Sequence, residues 1–335
     1  MHLQDSGRLR ELTPSAQVPL LSIVIPTHYR SNLLRTCLKS LAEHAPDGTE
    51  IIVVDDGSHQ ASASAVARDF HGVQVLRWAR PRGFCAAANA GIRIAQAPVV
   101  EMLNDDTEVT AGWAVPALRW FDDLTVAAVA PLVLRSRSKC GVHAEIDSAG
   151  DRYYWGGIAG KRGHGEHLGS KYLEPGRVFG ASASSAFYRR DVLMRLGAFP
   201  ESFGAYFEDV DLAFRLNRAG YRAMYEPASQ VYHHGGGSYG TPRRRLLEQQ
   251  SRNEERVFWR NIPPADWRHA VPRHLAVLAG KAWRRWREGR FIPFLCGRLR
   301  LLGEIGALTH HRRILSEMGP DTDPLDWNVD SRYWG

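Results

Sequence analysis

Three groups of acids carry the chemistry this chain could do. Asp55 and Asp56 follow one short apolar run, Asn104, Asp105 and Asp106 follow another, and Glu208 and Asp209 open a later stretch that includes Asp211. Carboxylates at the carboxyl end of a strand in an α/β sheet point into the crevice where such sheets bind ligands. Hard oxygen donors there suit Mg²⁺ or Mn²⁺, and the cation would in turn hold the phosphates of a nucleotide. If all three groups face one crevice, they divide the labour. Asp56 accepts a hydrogen bond from a nucleobase, Asp106 holds the divalent cation, and Asp209 takes a proton from an incoming hydroxyl. Each group also has a plainer reading. Asn104 to Thr107 is a polar turn in its own right, and Glu208 with Asp209 would complement the positive end of a helix. His233 and His234, ahead of three glycines, offer a metal or diphosphate contact, with His233 the first candidate, or only a mobile cover. Arg243, Arg244 and Arg245 could fork onto phosphate or form a solvated helix face.

Positioning these acids requires strands that stop where the acids begin. Leu20 to Ile25 is a continuous apolar run of the kind buried in a parallel sheet, and Pro26-Thr27 ends it. Ser31 then stands as the N-cap of a helix whose apolar positions Leu33, Leu34, Cys37, Leu38 and Leu41 recur at helical spacing. Strands at Ile51–Val54, Val73–Leu76 and from Val99 alternate with helices ending near Phe70 and Ala95. Four strand and helix alternations predict a parallel, doubly wound sheet with right-handed crossovers. Beyond it the pattern predicts a helix over Trp113–Phe121, a strand over Val126–Ala130, and long loops or a small hairpin from Arg135 to Arg177. A strand-like segment over Phe179–Phe187, a short helix from Arg190, and a helix over Phe207–Gly220 with acids first and glycine at its stop complete this part.

Composition sets the outer limits. With 335 residues, 44% of them hydrophobic, and ten tryptophans, the chain is long enough for about two domains with a sizeable core. Four dispersed cysteines without CxxC spacing suggest neither a zinc ribbon nor a disulfide framework, and a reducing, cytoplasmic setting is the expectation. No apolar segment approaches the ~20 residues that span a bilayer, and the charged first residues do not read as a signal peptide. The formal charge of +7 is uneven: from Gly240 to Met318 there are 17 Arg and Lys against 7 Asp and Glu. Interleaved with these are Trp283, Trp286, Phe291 and Phe294, so the helical tail could lie on an anionic membrane surface. Equally, its aromatics could pack on the rest of the chain or in a homodimer interface. No nucleic-acid motif accompanies them, and nucleic acid is not expected as a partner.

Six ordered segments give a family resemblance. Ser22 to Thr27, Val54-Asp-Asp-Gly-Ser58, Gly83 to Gly91, Leu103-Asn-Asp-Asp-Thr-Glu108, Phe207-Glu-Asp-Val-Asp-Leu212 and Val231 to Ser238 together resemble the family-2 glycosyltransferases, and within them the bacterial rhamnosyltransferase-like enzymes of O-antigen synthesis. The resemblance implies a GT-A fold over residues 18–240, with a nucleotide half at 18–110 and an acceptor half at 111–240, followed by a basic helical region at 241–335. It implies a nucleoside-diphosphate sugar donor, a Mg²⁺ or Mn²⁺ cofactor, and inversion at the anomeric carbon by one in-line displacement. A glycan or polyprenyl-linked glycan is the implied acceptor, met on the inner face of the cell membrane. Thr27 and Tyr29, with Pro26 and Arg30 beside them, match first-strand contacts to the nucleotide, and Asp56 matches the acid that meets the base. Arg82 and Asn89 fall where the family contacts the nucleotide or orders the loop beneath it. Asp106 matches the metal-binding end of a DXD motif that reads Asn-Asp-Asp here, which leaves Asp105 for the donor sugar. Asp209 matches the acid of the Glu-Asp catalytic pair formed with Glu208, and His233 the histidine after the last strand. Two rival readings are a non-catalytic sugar-nucleotide or scaffold protein of the same fold and a sugar nucleotidyltransferase. The latter wants a glycine-rich loop after the first strand, which Pro26 to Arg30 lacks.

Overall fold

The computed structural model describes residues 19–135, 144–235 and 243–318. Gly236, Gly237, Ser238 and the side chain of Arg243 therefore lie outside the described residues. Strand β1 (Leu21–Thr27) is buried along its whole length, as its unbroken apolar run requires. Helix α1 (Ser31–His44) lays Leu34, Cys37, Leu38 and Leu41 on the sheet. Strand β2 (Glu50–Asp55), helix α2 (Ser62–Arg68), strand β3 (Val73–Arg77), helix α3 (Phe84–Ile94) and strand β4 (Val99–Leu103) follow. β1 pairs in parallel with both β2 and β4, and β2 in parallel with β3, as the alternation predicted. Gly91 lets α3 lie close on β1, because a Cβ there would sit 2.3 Å from Cγ1 of Val24.

One capping detail differs from expectation. Ser31 is the first residue of α1, the capping position falls to Arg30, and no side chain caps the helix. The guanidinium of Arg30 points instead to the acids at the end of β4.

The sheet then turns mixed. Short strands β5 (Thr107–Val109), β7 (Ile146–Ser148) and β10 (Gly176–Val178) flank the long β6 (Val126–Arg135) and β12 (Arg222–His233), with α4 (Ala114–Arg119) between β5 and β6. β11 (Ser185–Arg189) inserts antiparallel between β4 and β6, giving the order β10-β12-β6-β11-β4-β1-β2-β3. The expected strand over Phe179–Phe187 is thus shorter and later, because the Ser185 amide donates to Ser182 and turns the chain there. The hairpin read from Arg135 to Arg177 is present as β8 (Asp151–Tyr154) and β9 (Ile158–Lys161).

Helices α5 (Arg190–Arg195) and α6 (Glu208–Arg218) connect the last strands. The chain continues as α7 (Arg243–Asn261), α8 (Trp267–Arg287), α9 (Phe291–Arg300) and α10 (Ile305–Glu317). α7 docks on α6 through Asp211, which accepts from Arg215 at 3.0 Å and Asn261 at 2.9 Å and pairs with Arg260 at 2.9 Å. His274 of α8 stacks on Phe258 with centroids 3.7 Å apart and meets Glu255 and the Gly156 carbonyl, each at 2.9 Å. Gly297 allows α9 to touch α7, since a Cβ there would lie 2.3 Å from the Glu248 carbonyl oxygen. The aromatics of the tail divide between two fates: Phe258 and Phe294 are buried, whereas Trp283 and Trp286 are exposed. No helix among the described residues is long and apolar enough to cross a membrane.

Glu101 makes the core sensitive to pH. It lies fully buried on β4, accepting from Trp113 Nε1 at 3.2 Å and Ser185 Oγ at 3.0 Å, and burial pushes its carboxyl up to about 8 against those two bonds. Its stabilising contribution is therefore fully present below its unfolded value of about 4.3 and is lost as pH rises through about 8. Glu101→Gln should flatten the fall in melting temperature between about pH 5 and 8, measured by thermal denaturation across that range. A variant with the wild-type slope would remove Glu101 as its source.

Candidate active site

The loop that ends β4 is fixed from two sides. The Asn104 amide donates to the Ser184 carbonyl at 3.0 Å, and the Thr107 amide closes a turn on Asn104 at 3.1 Å. Thr27 Oγ1 donates to Asp105 Oδ2 at 2.7 Å, while Arg30 Nη1 bridges Asp105 Oδ1 and Asp106 Oδ2, both at 3.0 Å. Pairing of β5 with β12 sets His233 opposite Thr107, and the His234 amide donates to the Asp106 carbonyl at 2.9 Å. His233 Nε2 consequently lies 3.1 Å from Asp106 Oδ1, and its Nδ1 lies 3.2 Å from Asp147 Oδ2.

The charges here support one another. Burial opposes ionisation of Asp106, but His233 and then Arg30 outweigh it and hold its carboxyl below the ordinary range. Burial lifts Asp105 to about 6 despite Arg30. Burial alone would lower the His233 imidazole, yet Asp106 and Asp147 raise it to about 9.

Glu208 and Asp209 arrive from the first turn of α6. The two residues before them, Tyr206 and Phe207, take left-handed backbone angles with φ of 73° and 69°. Such angles are uncommon for side chains of this size and persist only where the surroundings impose them. They swing the helix start so that Asp209 Oδ2 accepts the Ala183 amide at 3.0 Å and Oδ1 the Val210 amide at 2.8 Å. Burial raises both carboxyls, that of Glu208 well above its usual range, and the amide bonds to Asp209 work the other way. Burial is the larger effect at both residues, ahead of the amide donors at the helix start. Glu208 Oε2 is buried without a hydrogen bond, as is Asp151 Oδ2. Burial, then the charge of Asp209, lifts Asp151 to about 8.

Asp105, Asp106, Glu208, Asp209 and His233 all line one cavity of about 610 Å³, together with Pro26 and Arg30. Asp56 stands apart from its wall: fully buried, it accepts the Arg82 amide at 2.6 Å and the Gly83 amide at 2.9 Å, and so orders the loop before α3. Arg82 lays its guanidinium over Trp78 at 4.6 Å. Asn89 is occupied by the Phe199 backbone, donating to its carbonyl at 2.7 Å and accepting its amide at 3.0 Å. Tyr29 is half exposed, with its ring 3.9 Å from that of His28. The His234 ring meets Glu108 at 2.5 Å rather than the Asp106 carboxylate, which leaves His233 as the imidazole beside that carboxylate. Arg244 and Arg245 line a different recess between α7 and Glu201.

Three functional neighbours have no local sequence signal: Asp147, Asp151 and Lys161, whose Nζ lies 2.7 Å from Asp147 Oδ2. They sit in the segment that reads as polar loop, and only the pairing of β7 with β6 and of β8 with β9 brings them in.

A family model, Glycosyl transferase family 2, matches residues 22–197. The chain belongs to that family. It is 30% identical over 294 residues to the uncharacterized protein y4gI of Sinorhizobium fredii, covering 82% of this chain and 32% of that protein, so it spans about a third of that relative's length. It is 26% identical over 252 residues to the N-acetylglucosaminyl-diphospho-decaprenol L-rhamnosyltransferase of Mycobacterium tuberculosis, covering 66% of this chain and 78% of that enzyme. The fold is that of GT-A glycosyltransferases: the mannosyltransferase PcManGT from Pyrobaculum calidifontis, solved with GDP-Man and Mn²⁺, superposes with a TM-score of 0.54 at 19% identity, over 92% of this chain and 86% of that one.

The donor set fits a divalent cation. Among the described residues no three His, Cys, Asp or Glu side chains cluster as a self-sufficient metal site. Asp106 Oδ1, however, is buried without a hydrogen bond of good geometry, and the ring nitrogen His233 Nε2 adjoins it. One oxygen and one nitrogen leave most of the coordination sphere to water and phosphate, the usual manner of Mg²⁺ and Mn²⁺ binding at nucleotides. Asp147, 3.2 Å from His233 Nδ1, would orient the ring once a cation displaces the proton from Nε2. Asp147→Asn should weaken Mn²⁺ binding in the presence of a nucleoside diphosphate by roughly 10–100-fold, read by calorimetric titration. Unaltered affinity would show that Asp147 does not orient a metal ligand.

Proposed function

We propose that this glycosyltransferase moves a sugar, with inversion, from a nucleoside-diphosphate donor to a hydroxyl of a glycan or lipid-linked glycan acceptor in bacterial surface polysaccharide synthesis, in the manner of a rhamnosyltransferase. The observation that carries the reading is that Asp106 and Asp209 open onto the same cavity while both of their segments are anchored on Ser182–Ser184. The names of relatives that transfer rhamnose onto a diphospho-decaprenol acceptor or act in O-antigen biosynthesis support the acceptor class.

The nucleotide lies over the carboxyl ends of β1 and β2, where Pro26, Tyr29 and Arg82 provide its surroundings while the buried Thr27 and Asp56 hold the loops beneath it. Asp106 and His233 would hold a Mg²⁺ or Mn²⁺ ion, whose positive charge would offset the negative charge of the diphosphate. Asp105, with Arg30 across it, faces the donor sugar. Asp209 accepts the proton of the acceptor hydroxyl as its oxygen bonds to the anomeric carbon, and the bond to the diphosphate breaks with its electron pair leaving on the phosphate. No covalent intermediate is needed. The two backbone amides on Asp209 fix its carboxylate in direction. Glu208 and Asp151, both lifted by burial, spare it further negative charge while they hold their protons. A raised carboxyl is the better base near neutral pH.

Asp209→Asn should lower kcat by about 10²–10⁴-fold, the usual contribution of a positioned base, with Mn²⁺-dependent nucleotide binding unchanged. Thermal stabilisation by UDP, GDP and dTDP with Mn²⁺ first identifies the nucleotide, and turnover assays with sugars on that nucleotide then compare the variant. Full turnover in the variant would rule Asp209 out as the base.

A further inference from the structure

The loop that delivers Glu208 and Asp209 is held from outside itself. Between Phe203 and the start of α6, Gly204, Tyr206 and Phe207 have φ of 70°, 73° and 69°, and two of the three carry large side chains. A segment keeps such angles only where its surroundings impose them. Here α7 imposes them. Gln249 Nε2 donates to the carbonyls of Phe203 and Ala205 at 2.8 and 3.0 Å. One turn on, Asn253 Nδ2 lies 2.9, 2.9 and 3.0 Å from the carbonyls of Phe203, Ala205 and Tyr206. Arg256 Nη1 donates to the Ser202 carbonyl at 2.6 Å and to Asn253 Oδ1 at 2.9 Å. A guanidinium can only donate, so that last bond turns the amide oxygen of Asn253 to Arg256 and its NH2 group to the loop. The spacing of Gln249, Asn253 and Arg256 places all three on one helix face.

The Gly204 carbonyl turns the other way and accepts the Cys85 amide, at the head of α3, at 2.9 Å. The loop is therefore gripped between α3 on one side and α7 on the other. A different face of α7 lines the cavity, through Leu247, Gln250 and Glu254, whereas Gln249, Asn253 and Arg256 line the recess beside Arg244. We infer that Gln249, Asn253 and Arg256 are positioning residues for the transfer: they fix the backbone at Tyr206 and Phe207, and through it the place of Asp209 against the acceptor hydroxyl, without touching either substrate. The inference rests on the reading of Asp209 as the base.

The test follows release of nucleoside diphosphate by the full chain, with saturating Mn²⁺ and the donor that supports turnover. Gln249→Met removes the donor group at similar length from a partly buried position. It should lower kcat by about tenfold or more, since a displacement of about 1 Å at a reacting group can cost on the order of 10²-fold. Donor KM and Mn²⁺-dependent nucleotide affinity should stay within about twofold of wild type, as expected when only the transition state loses an interaction. Asn253→Ser, which frees three carbonyls, should lower kcat further, with both variants assayed well below their melting temperatures. In an Asp209→Asn background the Gln249→Met change should cost no more than about twofold, because the place of a base matters only while the base is present. Unchanged kcat in Gln249→Met would overturn the inference, and so would the same fractional loss in both backgrounds, which is what a general loosening of the fold produces. A fall in nucleotide affinity large enough to account for the loss would assign the grip to the donor and overturn it as well. Full turnover in Asp209→Asn alone would instead defeat the base assignment and this inference with it, whereas the other overturning results leave that assignment standing.

Discussion

The site depends on where three residues, Ser182, Ala183 and Ser184, are held. They enter β11, which is wedged antiparallel between β4 and β6, and so they arrive beside the point where β4 stops. From there the Ser184 carbonyl takes the Asn104 amide and the Ala183 amide reaches Asp209. Two short backbone contacts thereby tie an acid loop from the first half of the chain to a helix start from the second. Strand pairing enforces this placement, because a slip of one residue in β11 would turn every buried side chain of that strand to the opposite face. Phe187 and Tyr188, both fully buried on opposite faces, make such a slip costly.

Around that anchor the buried acids separate by environment, with Asp105, lifted to about 6 despite Arg30, between the extremes. Near His233, Arg30 and Lys161, the carboxyls of Asp106 and Asp147 are held low, so they remain anionic and keep a cation or an imidazolium between them. A few residues away on the wall, Glu208, Asp209 and Asp151 have no guanidinium against them, and burial drives them upward. Environment, not residue type, separates carboxylates suited to hold charge from carboxylates suited to take a proton. The same fold therefore offers both functions within one 610 Å³ cavity.

How far the sequence disclosed this arrangement follows the range of the interactions involved. From Leu21 to Leu103, strands and helices alternate with short connections, so periodicity alone places β1 to β4, and the acids at their ends stand out as breaks in apolar runs. Helix α6 is equally plain, with acids first and Gly220 after its end. Asp147, Asp151 and Lys161 are different, since their neighbours in sequence are ordinary polar residues and their importance comes from antiparallel pairings made far along the chain. Asn89 shows the opposite limit. Its place in a recognisable motif was visible, but its partner, the Phe199 backbone, lies 110 residues away, and only the fold shows it as a clasp. Ser31 misled because a good capping residue cannot cap when the preceding Arg30 occupies that position and turns its charge elsewhere.

The helical tail was visible as composition but not as architecture. Counting arginines and tryptophans suggests a choice between surface contact and internal packing, whereas the fold uses both at once. Asp211, from the same helix as Asp209, is neutralised by Arg215 and Arg260 and bonded to Asn261, so α7 cannot leave without exposing a buried carboxylate to unpaired surroundings. α7 in turn positions α8 and α9, through His274 on Glu255 and Arg298 on Glu254. The helix that carries Asp209 and the helices that follow α7 are therefore tied together through α7. A displacement of α7 would move α6 and the α8–α9 side of the cavity together, because buried charges tie it to both.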